Sequence, residues 1–349
     1  MENKILRNDL EQLANSSIPL SEMDGKTVFV TGASGLIGSQ IIKAISCYNK
    51  TNGTHIKAVA MVRNPEKAKK VFKDTENVEI YKCDITEEID YAGNVDYIIH
   101  GASATSSRFF VDHPVETIKI AVDGTVNILE FARKKEVKGF VYLSSLEVYG
   151  TPDKNQTTIK EDYSGYINQL SVRSSYSEGK RLVECLCCSY ASEYNVPVKI
   201  ARLSQTFGAG VEYNDGRVFA EFARCAIEKK DIVLHTMGNT VRSYCYTSDA
   251  VAAIIYILLK GQIGEAYNVT NMQTACSIKE MAETVCDLFK ESGIKTVIDI
   301  PEDVSSFGYN PEMIIRLDSS KLEQLGWKPT VSLEEMFRRL VASMKESKN

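Results

Sequence analysis

The sequence predicts an α/β protein organised around a doubly wound parallel sheet, followed by a smaller C-terminal lobe that binds substrate. Three observations lead there. A short β-branched run, Lys26 to Thr31, ends in glycines and passes straight into a helically spaced stretch, Leu36 to Cys47. Five further apolar runs, Ile56–Val62, Val78–Lys82, Asp96–His100, Gly139–Ser144 and Val198–Leu203, are each separated by helix-like segments. The texture then changes beyond about Gly208, with mixed loops such as EYNDGR and HTMGNT. Strand–helix alternation of this kind builds a parallel sheet of the Rossmann type. Its strands are continuously apolar because both faces are covered.

Taken in order, Met1–Asp24 alternates charges with isolated Ile and Leu and reads as a short amphipathic helix plus linker, with no apolar signal core. Residues 25–207 hold the six strands and form the expected dinucleotide-binding domain. Residues 208–349 form mainly the substrate lobe, with some segments returning to the first domain. That lobe includes helices over Val218–Lys229 and Ser332–Lys348. Ligands of open α/β sheets bind beyond the C-terminal strand ends, so the lobe belongs above that edge.

Composition narrows the function classes. The chain has 349 residues, 44% of them hydrophobic and 25% charged, as in ordinary globular proteins. Its 41 Lys and Arg against 46 Asp and Glu leave a net charge of −5, no footprint for nucleic acid. The longest apolar run, Ala250–Leu259, is half the ~20 residues of a membrane span, so no membrane partner is expected. Nine cysteines, an odd number, argue against a disulfide framework and for a reducing cytoplasm. No second cysteine pair or histidine ligand spacing accompanies Cys185, Cys187 and Cys188, so no metal site is expected.

Chemistry is carried by a few segments. In Thr31-Gly32-Ala33-Ser34-Gly35-Leu36-Ile37-Gly38, glycines between a strand and a helix let backbone N–H groups approach a pyrophosphate, which the helix N-terminus also attracts. At the end of the second strand, an acidic residue would accept from a ribose 2′-OH, whereas arginine accommodates a 2′-phosphate. This chain has Arg63 there, which leans toward NADP over NAD. Asp84, just after the third strand, is placed to meet the adenine or to cap a helix. Ser145 follows the fifth strand in SSLEVYG, and Tyr176 and Lys180 open a later helix in YSEGK. At i, i+4 they share a helix face. An ammonium beside a phenol favours the phenolate and so a general base, and Ser145 is placed to hydrogen-bond the same substrate oxygen.

With these residues, and with CDI, HGASA, ARLSQTFG, VRSYCYTSDAV, EAYNVTN and SSKLEQLGWKP, the chain from about Gly25 to Ser343 resembles the extended short-chain dehydrogenase/reductases. It is most similar there to the NAD-dependent epimerase/dehydratase family that acts on nucleotide sugars. HGASATSSRFF, SYSEGKRLVE, NDGRVFAEF and VRSYCYTSDA look most like the UDP-glucuronate decarboxylase branch. The resemblance implies that Gly32, Ser34, Gly35, Leu36, Ile37, Gly38, Arg63, Asp84, Ile85, Ala102 and Ser103 meet the dinucleotide. It implies Tyr176 as the base, Lys180 as its partner and ribose contact, and Ser145 as holder of the substrate hydroxyl. Glu147 would lie beside the sugar ring, Arg242 at the diphosphate or the reacting end of the sugar, and Arg217 at the nucleotide phosphates. It further implies homodimers joined through the helices that begin near Thr117 and Ser175.

Departures from the family pattern are as informative. Leu146 stands where the family's dehydratases carry a proton-donating aspartate, which disfavours 4,6-dehydration. Ala121 and Gln205 replace the usual asparagines, so substrate fit has drifted. The expected reaction is a redox-neutral decarboxylation or epimerisation through a keto intermediate. The alternative is an NADPH-dependent reduction of a nucleotide-linked keto sugar, which Arg63 and Leu146 favour. A non-catalytic dinucleotide-binding protein is the third reading, and the intact Ser145, Tyr176 and Lys180 count against it.

Overall fold

The computed structural model describes residues 3–153, 155–301 and 312–348. In chain order the first half runs α1 (Lys4–Ala14), β1 (Thr27–Thr31), α2 (Leu36–Asn52), β2 (Lys57–Val62), α3 (Pro65–Val71), β3 (Val78–Lys82), β4 (Tyr97–His100), α4 (Ser107–Asp112), α5 (Pro114–Lys134) and β5 (Gly139–Ser145). The second half runs α6 (Ser175–Tyr194), β6 (Val198–Leu203), β7 (Gln205–Phe207), α7 (Val218–Glu228), β8 (Ile232–Leu234), β9 (Val241–Tyr246), α8 (Thr247–Lys260), β10 (Ala266–Val269), β11 (Asn271–Ser277), α9 (Ile278–Leu288), β12 (Thr296–Ile298), β13 (Ile314–Ile315), α10 (Ser320–Glu323) and α11 (Leu333–Lys348).

Seven strands form one sheet in the order β10-β6-β5-β4-β1-β2-β3. Every pairing in it is parallel. All six strands read from the sequence are present, and β10 is added at the edge. The order reverses between β1 and β4, which opens a crevice above their C-terminal ends. One apolar core, including Ile41, Ile45, Ile254 and Leu258, covers the face under α2 and α8. A second, including Ile128, Leu129, Val183 and Cys187, covers the face under α5 and α6. The apolar run Ala250–Leu259 is the buried body of α8.

The N-terminal segment differs from the expected linker. After α1, the residues Ile18, Leu20 and Met23 are buried in the first core with Leu13 and Ala14, so the stretch after the helix is packed rather than loose. The smaller sheets follow β6: β11, β9 and β13 pair with β7 joined to β9, and β12 pairs with β8. They pack around a third core of Phe207, Phe219, Phe222 and Phe337.

One buried polar chain ties the centre of the sheet to α5. Ala102 N donates to Thr31 Oγ1 (3.1 Å), which shares a 2.7 Å hydrogen bond with His100 Nδ1. On the other side, His100 Nε2 lies 3.1 Å from Thr125 Oγ1, whose own proton goes to Ala121 O (2.6 Å). These directions assign the proton to Nε2 of a neutral ring. Burial pushes the imidazole down to about 3 from 6.5. The unfolded chain therefore binds a proton that the folded one refuses. As pH falls below 6.5 the loss steepens toward a limit of about 1.4 kcal/mol per pH unit, amounting to about 1.6 kcal/mol between pH 6.5 and pH 5. Thermal melts over that range should show a steep acid loss that His100→Gln reduces; equal slopes in the two proteins would contradict the assignment.

Candidate active site

The turn between β1 and α2 is built for close approach. Gly32 has φ +65°, and a Cβ there would lie 2.7 Å from the backbone of Gly101. A Cβ on Gly38 would come within 2.5 Å of Gly32 O, so only glycine lets α2 start this near the strand. Gly35 is the N-cap of α2 and supplies no side-chain acceptor, leaving the first-turn amides around Leu36 and Ile37 to an anion. Ser34 borders this turn half-exposed, and Ser103 follows β4 with its hydroxyl donated to Ala104 O (3.1 Å). The geometry suits a dinucleotide pyrophosphate held by Gly32, Gly35, Leu36 and Ile37.

At the outer end of the crevice, Arg63 is exposed beyond β2. Asp84 makes a local turn rather than a helix cap, its Oδ1 accepting from Thr86 N (3.0 Å) and Thr86 Oγ1 (2.8 Å). Those bonds hold its carboxyl below the usual range, and the Arg63 charge adds to the effect. Ile85 is buried against Gly124 of α5.

Deeper in, the ends of β5 and α6 bring four expected residues together. Ser145 closes β5 and accepts from Glu147 N (3.2 Å). Tyr176, in the first turn of α6, stacks on Phe110 with ring centroids 4.2 Å apart and planes at 12°. Lys180, one turn on, is buried and donates to Leu143 O (2.8 Å), with its Nζ 4.6 Å from the Tyr142 centroid and 5.7 Å from that of Tyr176. One arginine and a serine converge on Glu147. Arg173 meets it with two N–H···O contacts of 3.1 Å, and Ser177 Oγ donates at 3.0 Å. Arg173 also lies over the Phe110 ring at 5.1 Å. Arg242 stands on β9, not in a loop, and donates to Val241 O (3.1 Å) and Met313 O (3.5 Å); burial lowers its pKa, offset in part by Tyr244 and then by the Glu147 charge.

Burial and the Glu147 charge push the Tyr176 phenol up to about 12, with Ser145 and Arg173 opposing only in part. The ammonium points at the Leu143 carbonyl and lies over the ring rather than at the hydroxyl. Burial meanwhile pulls Lys180 itself down to about 8.

Arg217 is not brought to this cluster. It precedes α7, pairs with Asp215 (Nη2 to Oδ2, 2.6 Å) and lies over Phe219. Conversely, Arg173, Ser177 and Phe110 are missing from the sequence reading. Ser177 lay inside the quoted YSEGK run, but Arg173 sits in a short 3₁₀ turn, Val172–Ser174, whose spacing carries no signal.

A depressed lysine stores instability. Lys180 is protonated in both states below pH 8, where its folded form pays the burial cost, and the cost is relieved as pH rises from about 8 toward 10.5. Lys180→Met should therefore melt above the native protein at pH 7, with the gap closing through that window. A lower melting temperature at pH 7 would mean that the ammonium is not destabilised.

Comparison with known proteins agrees with this geometry. The profile of the NAD dependent epimerase/dehydratase family matches residues 28–270. UDP-glucuronic acid decarboxylase 6 of Arabidopsis thaliana is 32% identical over 324 residues, 93% of this chain and 89% of that protein. UDP-glucuronic acid decarboxylase 1 of Danio rerio is 30% identical over 92% of this chain and 73% of its own. Among solved structures, UDP-glucose 4-epimerase of Thermotoga maritima with UDP-glucose superposes with a TM-score of 0.78 at 22% identity, covering 93% of this chain and all of that one. UDP-glucuronic acid 4-epimerase of Bacillus cereus, in complex with UDP-glucuronic acid and NAD, gives 0.72 at 20% identity, covering 92% and 99%. At these identities the two structures bear on the fold.

Proposed function

The chain belongs to the NAD-dependent epimerase/dehydratase family, whose members here are NAD-dependent enzymes of nucleotide sugars, and we propose that its reaction is the redox-neutral decarboxylation of UDP-glucuronate. The observation that carries this reading is the charge set around Glu147. Arg173 is taken up by Glu147, whereas Arg242 donates to the main-chain oxygens of Val241 (3.1 Å) and Met313 (3.5 Å), leaving its positive charge for a uronate carboxylate to meet. Leu146, buried in an apolar cluster with Val148 and Ile315, offers no acid for dehydration.

Bound at the glycine turn, NAD supplies the hydride acceptor and donor of the cycle. Tyr176 exchanges the proton of the sugar hydroxyl, with Ser145 holding the same oxygen. Stacking on Phe110 fixes the phenol ring, and Lys180 anchors the helix face that carries it. As the carboxylate leaves, Tyr176 and Ser145 hydrogen-bond the oxygen on which negative charge develops. Glu147, fixed by Arg173 and Ser177, is free to accept from a ring hydroxyl. Arg242 and the more distant Arg217 serve the carboxylate and the phosphates.

Residues 25–207 carry the cofactor in this reading, and residues 208–349 mainly the nucleotide sugar. A homodimer is supported by the exposed Val111 on α4, Val115 and Ile118 on α5 and Leu182 on α6, apolar side chains on three helices, of which α5 packs against both α4 and α6. Nine cysteines outside any disulfide support a reducing, cytoplasmic setting. Arg63 favours a second reading, in which NADPH reduces a nucleotide-linked keto sugar.

Mass spectrometry of UDP-glucuronate incubated with the enzyme and NAD tests the proposal. The expected product has lost CO2, without net NADH, and Tyr176→Phe should lower turnover by about 10²-fold or more while still binding NAD. Unchanged UDP-glucuronate, together with NADPH bound more tightly than NADH, would instead establish the reductase.

A further inference from the structure

The N-terminal helix has contacts that the chemistry above does not use. Asn3 caps α1 by accepting from Leu6 N (3.0 Å), and its amide also donates to Ser343 Oγ of α11 (2.7 Å). Asp9, buried on the same helix, accepts from Arg339 Nη1 of α11 (2.7 Å) and from the Tyr246 hydroxyl at the end of β9 (2.5 Å). Arg339 lies over the Tyr246 ring at 5.4 Å, and Glu335 takes its Nε (2.7 Å). Asn52 of α2 and Tyr256 of α8 donate to Ala14 O and Ser17 O.

Both Tyr246 and Ser343 pass these contacts on to a single turn, Gly208–Gly210. Ala209 N donates to Tyr246 Oη (3.3 Å) and Gly210 N to Ser343 Oγ (3.0 Å), while Gln40 of α2 donates to Ala209 O (2.7 Å). Gly208 has no room for a Cβ against the Tyr246 ring, 2.4 Å away, and Gly210 (φ +87°) faces Leu36, Gln40 and Leu6. The turn is therefore cast by α1, α2, β9 and α11 together. On one side of it lies Leu36, at the cofactor end of α2. On the other runs the segment leading to Asp215 and Arg217. Tyr246 itself shares a strand face with Arg242, four residues earlier.

We propose that Asp9 is a positioning residue for the nucleotide sugar: through Tyr246 it makes α1 an internal strap that fixes the Gly208–Gly210 turn, and with it Arg217 and Arg242, relative to the cofactor helix α2. The inference rests on the nucleotide-sugar reading above. It makes the N-terminal segment part of substrate recognition, although no residue of it reaches the reacting atoms.

Tyr246→Phe is the discriminating variant in the full-length protein, because it cuts the link to the turn while Asp9 keeps Arg339 and α1 keeps its apolar seat. Asp9→Asn is the companion. UDP, titrated calorimetrically, should bind at least about fivefold more weakly to both, with NAD affinity unchanged. With UDP-glucuronate, KM should rise while kcat holds. Backbone hydrogen exchange over residues 208–217 should quicken in both variants. Native UDP affinity with native exchange in folded Tyr246→Phe, whatever its melting temperature, would overturn the proposal and leave α1 a stabilising contact alone. Failure of the native protein to bind UDP would defeat the nucleotide-sugar reading instead, and the exchange rates would still decide whether the strap sets the turn.

Discussion

The site depends on how α6 is bolted to the ends of β5 and β6. Ser144 at the end of β5 donates to Glu184 (2.6 Å), and Glu184 pairs with Arg202 of β6 (2.7 Å). Arg202 also donates to Tyr149 Oη (3.0 Å) and Glu161 O (2.6 Å), so every charge in this nearly dry cluster is answered. Breaking one partner of such a pair typically costs about 3–5 kcal/mol, because its mate stays buried and uncompensated. One turn nearer the N-terminus, Lys180 reaches the Leu143 carbonyl in the same strand. Together with the apolar packing of α6 on α5, these bonds fix the rotation and height of α6 and put Tyr176 beside Ser145.

That seat explains the proton affinities. A helix pressed onto a strand end buries the first turn it carries, so the phenol and the ammonium both resist charge and move toward their neutral forms. Glu147 adds to the phenol's reluctance, and Arg173 answers Glu147. The protein thus stores instability in Lys180, a cost borne at a functional site rather than in the scaffold. The strap of α1 around Tyr246 and the turn at Gly208–Gly210 belongs to the same logic, in which rigid elements carry the site and the loops only join them.

Much of this was legible in the sequence because local chemistry demanded it. A β-branched strand meeting Gly32, Gly35 and Gly38 permits few conformations, and the largely apolar runs of β1, β2 and β5 fit a sheet covered on both faces. Tyr176 and Lys180 share a helix face by spacing alone. Strand β10 escaped notice because its four residues follow a change of texture and gain their meaning only from pairing with β6. Arg173 and Phe110 escaped because long-range folding, not spacing, delivers them to Glu147 and Tyr176. Likewise, the sequence places Lys180 near Tyr176 but shows neither the depth of burial nor the carboxylate beside the phenol.

The most direct test of the account is the titration of Tyr176 itself. With tyrosines labelled at Cζ with ¹³C, the resonance missing from Tyr176→Phe identifies the phenol, which can then be followed with pH in the protein without added nucleotide. The account predicts that this tyrosine stays protonated through pH 10, the ordinary midpoint for the side chain. A midpoint well below 10 would contradict it, since Lys180 would then dominate over burial and Glu147.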